Sequence, residues 1–121
     1  MPRILIIDDD ASLRSFLCEA LQEHGYSVEE QSNGALGLNA YRLQPADVVL
    51  TDIVMPTKEG LETIQEFRRL FPDVKIIAMS GGLTDSNFDP LPIAKQFGAR
   101  YILKKPFSIV ELLNAIRQTI S

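Results

Sequence analysis

At 121 residues, with 45% apolar and 23% charged residues and a formal net charge of −4, the chain has the size and balance of one folded domain, 1–121, and neither a disordered nor a fibrous composition. Its longest stretch without Asp, Glu, Lys or Arg, Gln31–Tyr41, falls well short of the roughly 18 apolar residues that cross a membrane, and the apolar run behind Arg3 stops at Asp8, too early for a signal peptide. The acidic balance argues against a nucleic-acid-binding surface, and a lone Cys18 allows neither an internal disulfide nor a zinc-ligand pair, which fits a reducing, cytoplasmic setting.

The pattern along the chain alternates short aliphatic runs with segments of helical period, and it contains no repeat, low-complexity tract or linker. The first strand is Arg3–Ile7, an unbroken aliphatic run of the kind buried on both faces, ending at Asp8-Asp9-Asp10. A helix follows over about 11–24, with Leu13, Phe16, Leu17, Ala20 and Leu21 as its apolar stripe, Asp10 as N-cap and Gly25 at the C-terminal cap. A more polar strand over 27–31 reads as an edge strand; Ser32-Asn33-Gly34 turns the chain into a short helix over 35–43, which Gln44-Pro45 ends. The third strand is Asp47–Thr51, ending at Asp52, and a helix over 61–70 stops before Pro72. The fourth strand, Val74–Met79, ends at Ser80-Gly81-Gly82. An irregular stretch over 83–91 leads to a short helix over 92–97 with Gly98 as its cap. The fifth strand, Arg100–Leu103, ends at Lys104-Lys105-Pro106. Ser108 and Glu111 then stand at capping-box spacing ahead of a last helix through Val110, Leu112, Leu113, Ile116 and Ile120. Five βα units with right-handed crossovers predict an α/β fold: a parallel sheet with helices on both faces and its ligand site beyond the carboxyl ends of the strands.

Placing each strand's exit residue at that edge collects Asp8 and Asp9 from the first strand, Asp52 from the third, Ser80 from the fourth and Lys105 from the fifth. Close carboxylates repel, and burial raises the cost of their ionised forms. A hard divalent cation resolves this, and Mg²⁺ favours oxygen ligands, a few carboxylates and a phosphate oxygen. A carboxylate beside such an ion could attack a phosphoryl group and form an aspartyl phosphate. Lys105 could pair with one phosphoryl oxygen and the Ser80 hydroxyl could donate to another. Asp52 stands alone at its strand end, which favours it as the acceptor, whereas the adjacent Asp8 and Asp9 suit a metal; spacing alone leaves this choice open. Simpler readings apply elsewhere. Asp10 reads as a cap, Lys104 as a surface lysine, His24 as a partner of the helix dipole and Cys18 as structural, and Tyr26, Tyr41 and Tyr101 carry no evident chemistry.

These residues together resemble the receiver domain of bacterial two-component response regulators over the whole chain. The carriers are Ile6-Ile7-Asp8-Asp9 with Arg14 five residues on, Thr51-Asp52 with Met55-Pro56 and Gly60, Met79-Ser80-Gly81, Gly98-Ala99 and Lys105-Pro106-Phe107. The resemblance implies a flavodoxin-like (βα)5 fold with strand order 2-1-3-4-5. It implies that Asp52 is the phosphoacceptor, that Asp8, Asp9 and Asp52 with the backbone carbonyl of Val54 hold Mg²⁺, that Ser80 is the switch hydroxyl, and that Lys105 bridges the phosphoryl group, with a cis Lys105–Pro106 peptide. It further implies a histidine kinase or phosphotransfer protein as donor and a downstream protein target. Phosphorylation would shift a two-state equilibrium on the face formed by the fourth helix, fifth strand and fifth helix, acting as a monomer or as a phosphorylation-dependent dimer, with no membrane or nucleic-acid contact. Such a domain is a signalling module that catalyses only its own phosphorylation and dephosphorylation. The chain departs from the family in three places: Ile102, with Tyr101 one position early, stands where an aromatic switch residue is common; Gly81 replaces the usual Ala; and the stretch over 82–91 is long. A stand-alone receiver, rather than one excised from a larger protein, is favoured by the Met1 start.

Three other readings compete with this one. Asp8-x-Asp10-x-Ser12 is similar to the first motif of haloacid-dehalogenase-type phosphatases, but only Glu111 follows Lys105 where that family needs a paired acidic motif, and Thr51-Asp52 and Met55-Pro56 stay unexplained. A flavin site needs a phosphate-cradling loop after the first strand, where three Asp residues would repel the phosphate. A non-phosphorylated docking domain would not require the competent residues that fill all the site positions.

Overall fold

Hydrophobic runs with period two and period 3.6 dictate a layered arrangement, and the computed structural model of the chain shows it, describing residues 2–53, 59–80, 95–96 and 98–121. The strands are β1 (Arg3–Ile7), β2 (Ser27–Gln31), β3 (Val48–Asp52), β4 (Ile76–Ser80) and β5 (Tyr101–Lys104). The helices are α1 (Ala11–Glu23), α2 (Gly34–Leu43), α3 (Glu59–Leu70) and a C-terminal helix (Ile109–Ile120). All neighbouring strands run parallel in the order β2-β1-β3-β4-β5, the flavodoxin-like order. β3 and β4 are buried at every position, whereas the polar β2 lies at one edge of the sheet. The expected irregular stretch over 83–91, Val54, Met55, Pro56, Gly81, Gly82 and most of the expected helix over 92–97 lie outside the described residues; Lys95 and Gln96 are helical.

Alternation along the central strands sorts side chains into two cores. Ile4, Ile6, Val48, Leu50, Ile77, Met79 and Leu103 face Leu17 and Leu21 of α1 and Leu112, Ala115 and Ile116 of the C-terminal helix. Leu5, Ile7, Val49, Ile76 and Ala78 face the other way, onto Ala40 and Tyr41 of α2 and Ile64 and Phe67 of α3. Phe67 meets Tyr41 edge-on at 5.6 Å between ring centroids, and Phe71 closes the cluster. Burial, with Asp73 and Asp47 nearby, pushes the Tyr41 hydroxyl up from its ordinary value, so this tyrosine stays neutral and structural.

The helix ends carry their own signals. Asp10 accepts from the backbone N–H groups of Ser12 and Leu13, and Asn33 caps α2 through Leu36. The N–H groups of Gly25 and Tyr26 donate to the carbonyls of Gln22 and Leu21, a Schellman closure that needs the left-handed φ of +89° at Gly25. His24 is the C-cap of α1, and its Nδ1 lies 2.9 Å from the Ala20 carbonyl. Ser108 accepts from the Glu111 N–H at 3.1 Å, as the capping box requires. Gly37 lets α2 sit directly on Ile7, whose side chain would collide with any Cβ there.

Phe16, expected in the apolar stripe of α1, is 53% accessible, and Val110 at the start of the C-terminal helix is 65% accessible. At about 100° per residue, Phe16 points roughly 90° from the mean direction of Leu17, Ala20 and Leu21, and Val110 points nearly opposite Leu112, Ala115 and Ile116. Strand and helix bounds shift by one or two residues: Asp52 joins β3 because it pairs with Met79, Ser80 joins β4 opposite Lys104, and α2 and α3 begin earlier than expected.

Replacing the fully buried Phe67 by Ala should remove about 3–5 kcal/mol of stability, because the Tyr41 and Phe71 rings cannot collapse into the space; urea unfolding measures this as a lower midpoint at unchanged slope.

Candidate functional site

Register brings the site together before any side chain is considered. Ile7 pairs with Thr51, so Asp8 and Asp52, each one residue further on, leave the sheet side by side. Ser80 and Lys104 pair at the ends of β4 and β5, which puts Lys105 at the same edge. The Lys105 N–H donates to the Ser80 carbonyl at 2.6 Å, and the Lys105–Pro106 peptide is cis.

Asp8, Asp52 and Ser80 are buried, at 1%, 6% and 6% accessibility, whereas Asp9 is exposed. One oxygen from each of Asp8, Asp9 and Asp52 lies within 4.8 Å of the others. Lys105 reaches into this group, with Nζ at 3.3 Å from Oδ2 of both Asp8 and Asp52. The other Asp8 oxygen accepts from the Asp10 N–H at 2.8 Å. Among the described residues, the Lys105 ammonium thus pairs with the two buried carboxylates, and the exposed Asp9 adds a third within the same cluster. Among the described residues the donor set is carboxylate oxygens alone, a set that fits Mg²⁺. Val54, expected to add a carbonyl, lies outside the described residues.

The expected residues Asp8, Asp9, Asp52 and Lys105 therefore meet, with Ser80 beside them at the end of β4. Asp10 does not join them; its carboxylate caps α1. Ile102 and Tyr101 pack on opposite sheet faces, Tyr101 against the core of α1 and the C-terminal helix and Ile102 against that of α2 and α3. Burial and the neighbouring Glu30 push the Cys18 thiol up, which keeps it protonated and unreactive. Arg14 enters the sequence pattern only as a spacing feature, yet its Nη1 donates to the Asp8 carbonyl at 2.6 Å and its Nε to Glu30 at 3.1 Å. Helical side chains lean toward the helix N-terminus, so a long cation in the first turn of α1 was placed to reach back to the end of β1.

Residues 4–117 match the family described as the response regulator receiver domain. The chain belongs to this family. It is 35% identical to the response regulator receiver protein CpdR of Brucella abortus, over 98% of the chain and 96% of that protein. It is 33% identical to a stretch of the sensor kinase CckA of the same organism, covering 95% of the chain but 12% of CckA. The solved structure of chemotaxis protein CheY4 of Vibrio cholerae superposes with a TM-score of 0.86 at 27% identity, over 98% of both chains. The receiver is thus a signalling domain of two-component systems. No helix among the described residues is long and apolar enough to cross a membrane.

Two neighbouring aspartates should separate by function. Asp9→Ala should abolish the rise in melting temperature that Mg²⁺ gives the wild type. Asp10→Ala should keep that rise while losing about 1 kcal/mol with its cap. Equal losses of the Mg²⁺ response in a thermal titration of both variants would refute the ligand assignment.

Proposed function

We propose that the whole chain is one phosphoacceptor domain in which Asp52 takes a phosphoryl group, in a Mg²⁺-dependent reaction, from a histidine kinase or phosphotransfer protein in the cytoplasm. The observation that carries this is the placement of Asp52: buried, at the end of β3, 3.3 Å from Lys105 and within the carboxylate group of Asp8 and Asp9. An Asp52 oxygen attacks phosphorus, the bond to the donor's imidazole nitrogen breaks, and the imidazole leaves with the electron pair. Asp8 and Asp9 would hold Mg²⁺, which when bound offsets charge on the phosphoryl oxygens. Lys105 stands where it can leave its ion pair with Asp52 for a phosphoryl oxygen, and the Ser80 hydroxyl can donate to another. Water attack on phosphorus later releases phosphate and restores the carboxylate. Chemistry is confined to this self-modification, and the output is altered binding of a downstream protein, by a monomer or by a dimer formed on phosphorylation.

The phosphatase reading loses support at Asp10. Its carboxylate would have to act as acid and base beside an Asp8 nucleophile, but it is committed to the N–H groups of Ser12 and Leu13.

Incubation with a small acyl phosphate should add one phosphoryl mass, read on the intact protein, only when Mg²⁺ is present. Asp52→Asn should fold and take none. An adduct that survives in Asp52→Asn would move the nucleophile to Asp8. No adduct on a wild type that binds Mg²⁺, with the small donor and with a histidine-phosphorylated donor alike, would leave a docking domain.

A further inference from the structure

We infer that Arg14 is a positioning residue for the metal-holding aspartates, a role that rests on the phosphoacceptor reading above. Its guanidinium spans two elements. Nη1 donates to the carbonyl of Asp8 at 2.6 Å, and Nε donates to Glu30 of β2 at 3.1 Å. The Arg14 side chain is largely buried, at 16% accessibility, so this fork lies against the protein rather than in solvent.

The carbonyl of Asp8 belongs to the planar peptide unit that joins Asp8 to Asp9. Holding that oxygen restrains the plane, and with it ψ of Asp8 and φ of Asp9, the torsions that set where the two side chains leave the chain. Among the described residues, Arg14 is the hydrogen-bond partner of that carbonyl. The Asp8 N–H, on the preceding peptide, donates to the Gln31 carbonyl at 3.2 Å, and the Asp8 side chain is tied to the Asp10 N–H and Lys105. Asp9 is exposed beyond the strand. Arg14 therefore secures the peptide between a buried carboxylate and an exposed one that must converge on a single ion.

Charge and geometry make opposite forecasts for this residue. A guanidinium bonded to the Asp8 carbonyl puts a positive charge beside the site, so removing it should tighten Mg²⁺ binding if charge alone mattered. If Arg14 acts by holding the peptide, removing it should weaken binding, as loss of an outer partner of a metal ligand does.

The experiment titrates Mg²⁺ into wild type, Arg14→Gln and Arg14→Lys by amide NMR, and measures amide exchange at Asp10 and Leu21 in the metal-free proteins. We expect Arg14→Gln to raise the Mg²⁺ dissociation constant about tenfold. Arg14→Lys keeps the charge but loses the fork and should fall between the two. Exchange should quicken at Asp10, whose N–H donates to Asp8, and stay unchanged at Leu21 in the buried part of α1. Unchanged or tighter Mg²⁺ binding in both variants overturns the inference. Equal quickening at Asp10 and Leu21 also overturns it, by reducing Arg14 to a general stabiliser of α1. A wild type that binds no Mg²⁺ fails earlier, at the phosphoacceptor reading itself, and takes the inference with it.

Discussion

The repulsion among Asp8, Asp9 and Asp52 is the constraint to which much of this domain answers. Parallel register alone puts Asp8 and Asp52 side by side, since each follows a paired residue of β1 or β3. Two buried carboxylates at that spacing would disfavour the fold unless a positive charge compensated them. Lys105 does so from the far strand, reaching both at 3.3 Å. That ion pair can form only if β5 completes the sheet beside β4, so the charge balance of the site and the closure of the sheet are one requirement. The Lys105 N–H bond to the Ser80 carbonyl, at 2.6 Å, is the backbone expression of the same coupling.

The two hydrophobic cores explain why the edge can tolerate this arrangement. β3 and β4 are buried at every position, and β1 at four of its five, beneath α1 and the C-terminal helix on one side and α2 and α3 on the other. Apolar burial of that extent supplies the main stability of the domain, so the edge is free to hold residues chosen for chemistry. Caps at Asp10, Asn33 and Ser108 begin three of the helices with a polar side chain in hydrogen-bonding reach. Asp10, one residue beyond Asp8 and Asp9, serves the helix rather than the carboxylate cluster.

Much of this was legible in the sequence because the signals are local. Aliphatic runs of four or five residues gave the strands, and the position of each acidic, hydroxyl or lysine residue just past a run gave the edge. Phe16 departs from its expected place because helical phase, not apolar character alone, decides which side of α1 is buried. The exact phase of a helix on a sheet is set by packing, which favours Leu17 and Ile116 over their neighbours. Strand ends were misjudged by a residue where pairing continues through polar groups, as at Asp52 and Ser80. Arg14 was legible as a spacing and not as a contact. Its partner is a backbone carbonyl, which leaves no trace in side-chain patterning, and its second partner, Glu30, comes from a strand 16 residues away.

Charge arithmetic connects the resting site to its proposed switch. Among the described residues, the carboxylates of Asp8, Asp9 and Asp52 and the ammonium of Lys105 carry a formal −2, which one divalent cation would cancel. Phosphorylation of Asp52 replaces a single negative charge by about −2, and the balance is lost again by one charge. The new charge sits further out than the carboxylate it replaces, and Lys105, three-quarters buried against Asp8 and Asp52, is the cation placed to follow it. Its departure would loosen its hold on Asp8 while β5 and β4 remain joined through the backbone. Ser80, at the end of β4 and opposite Lys104, is the neutral donor on the same strand pair. In the proposed switch, a charge change at one carboxylate would thereby reach β4 and β5 through the two side chains placed to answer it. Tyr101 and Leu103 of β5 pack onto the core shared with the C-terminal helix, so the displacement has a physical route to that face.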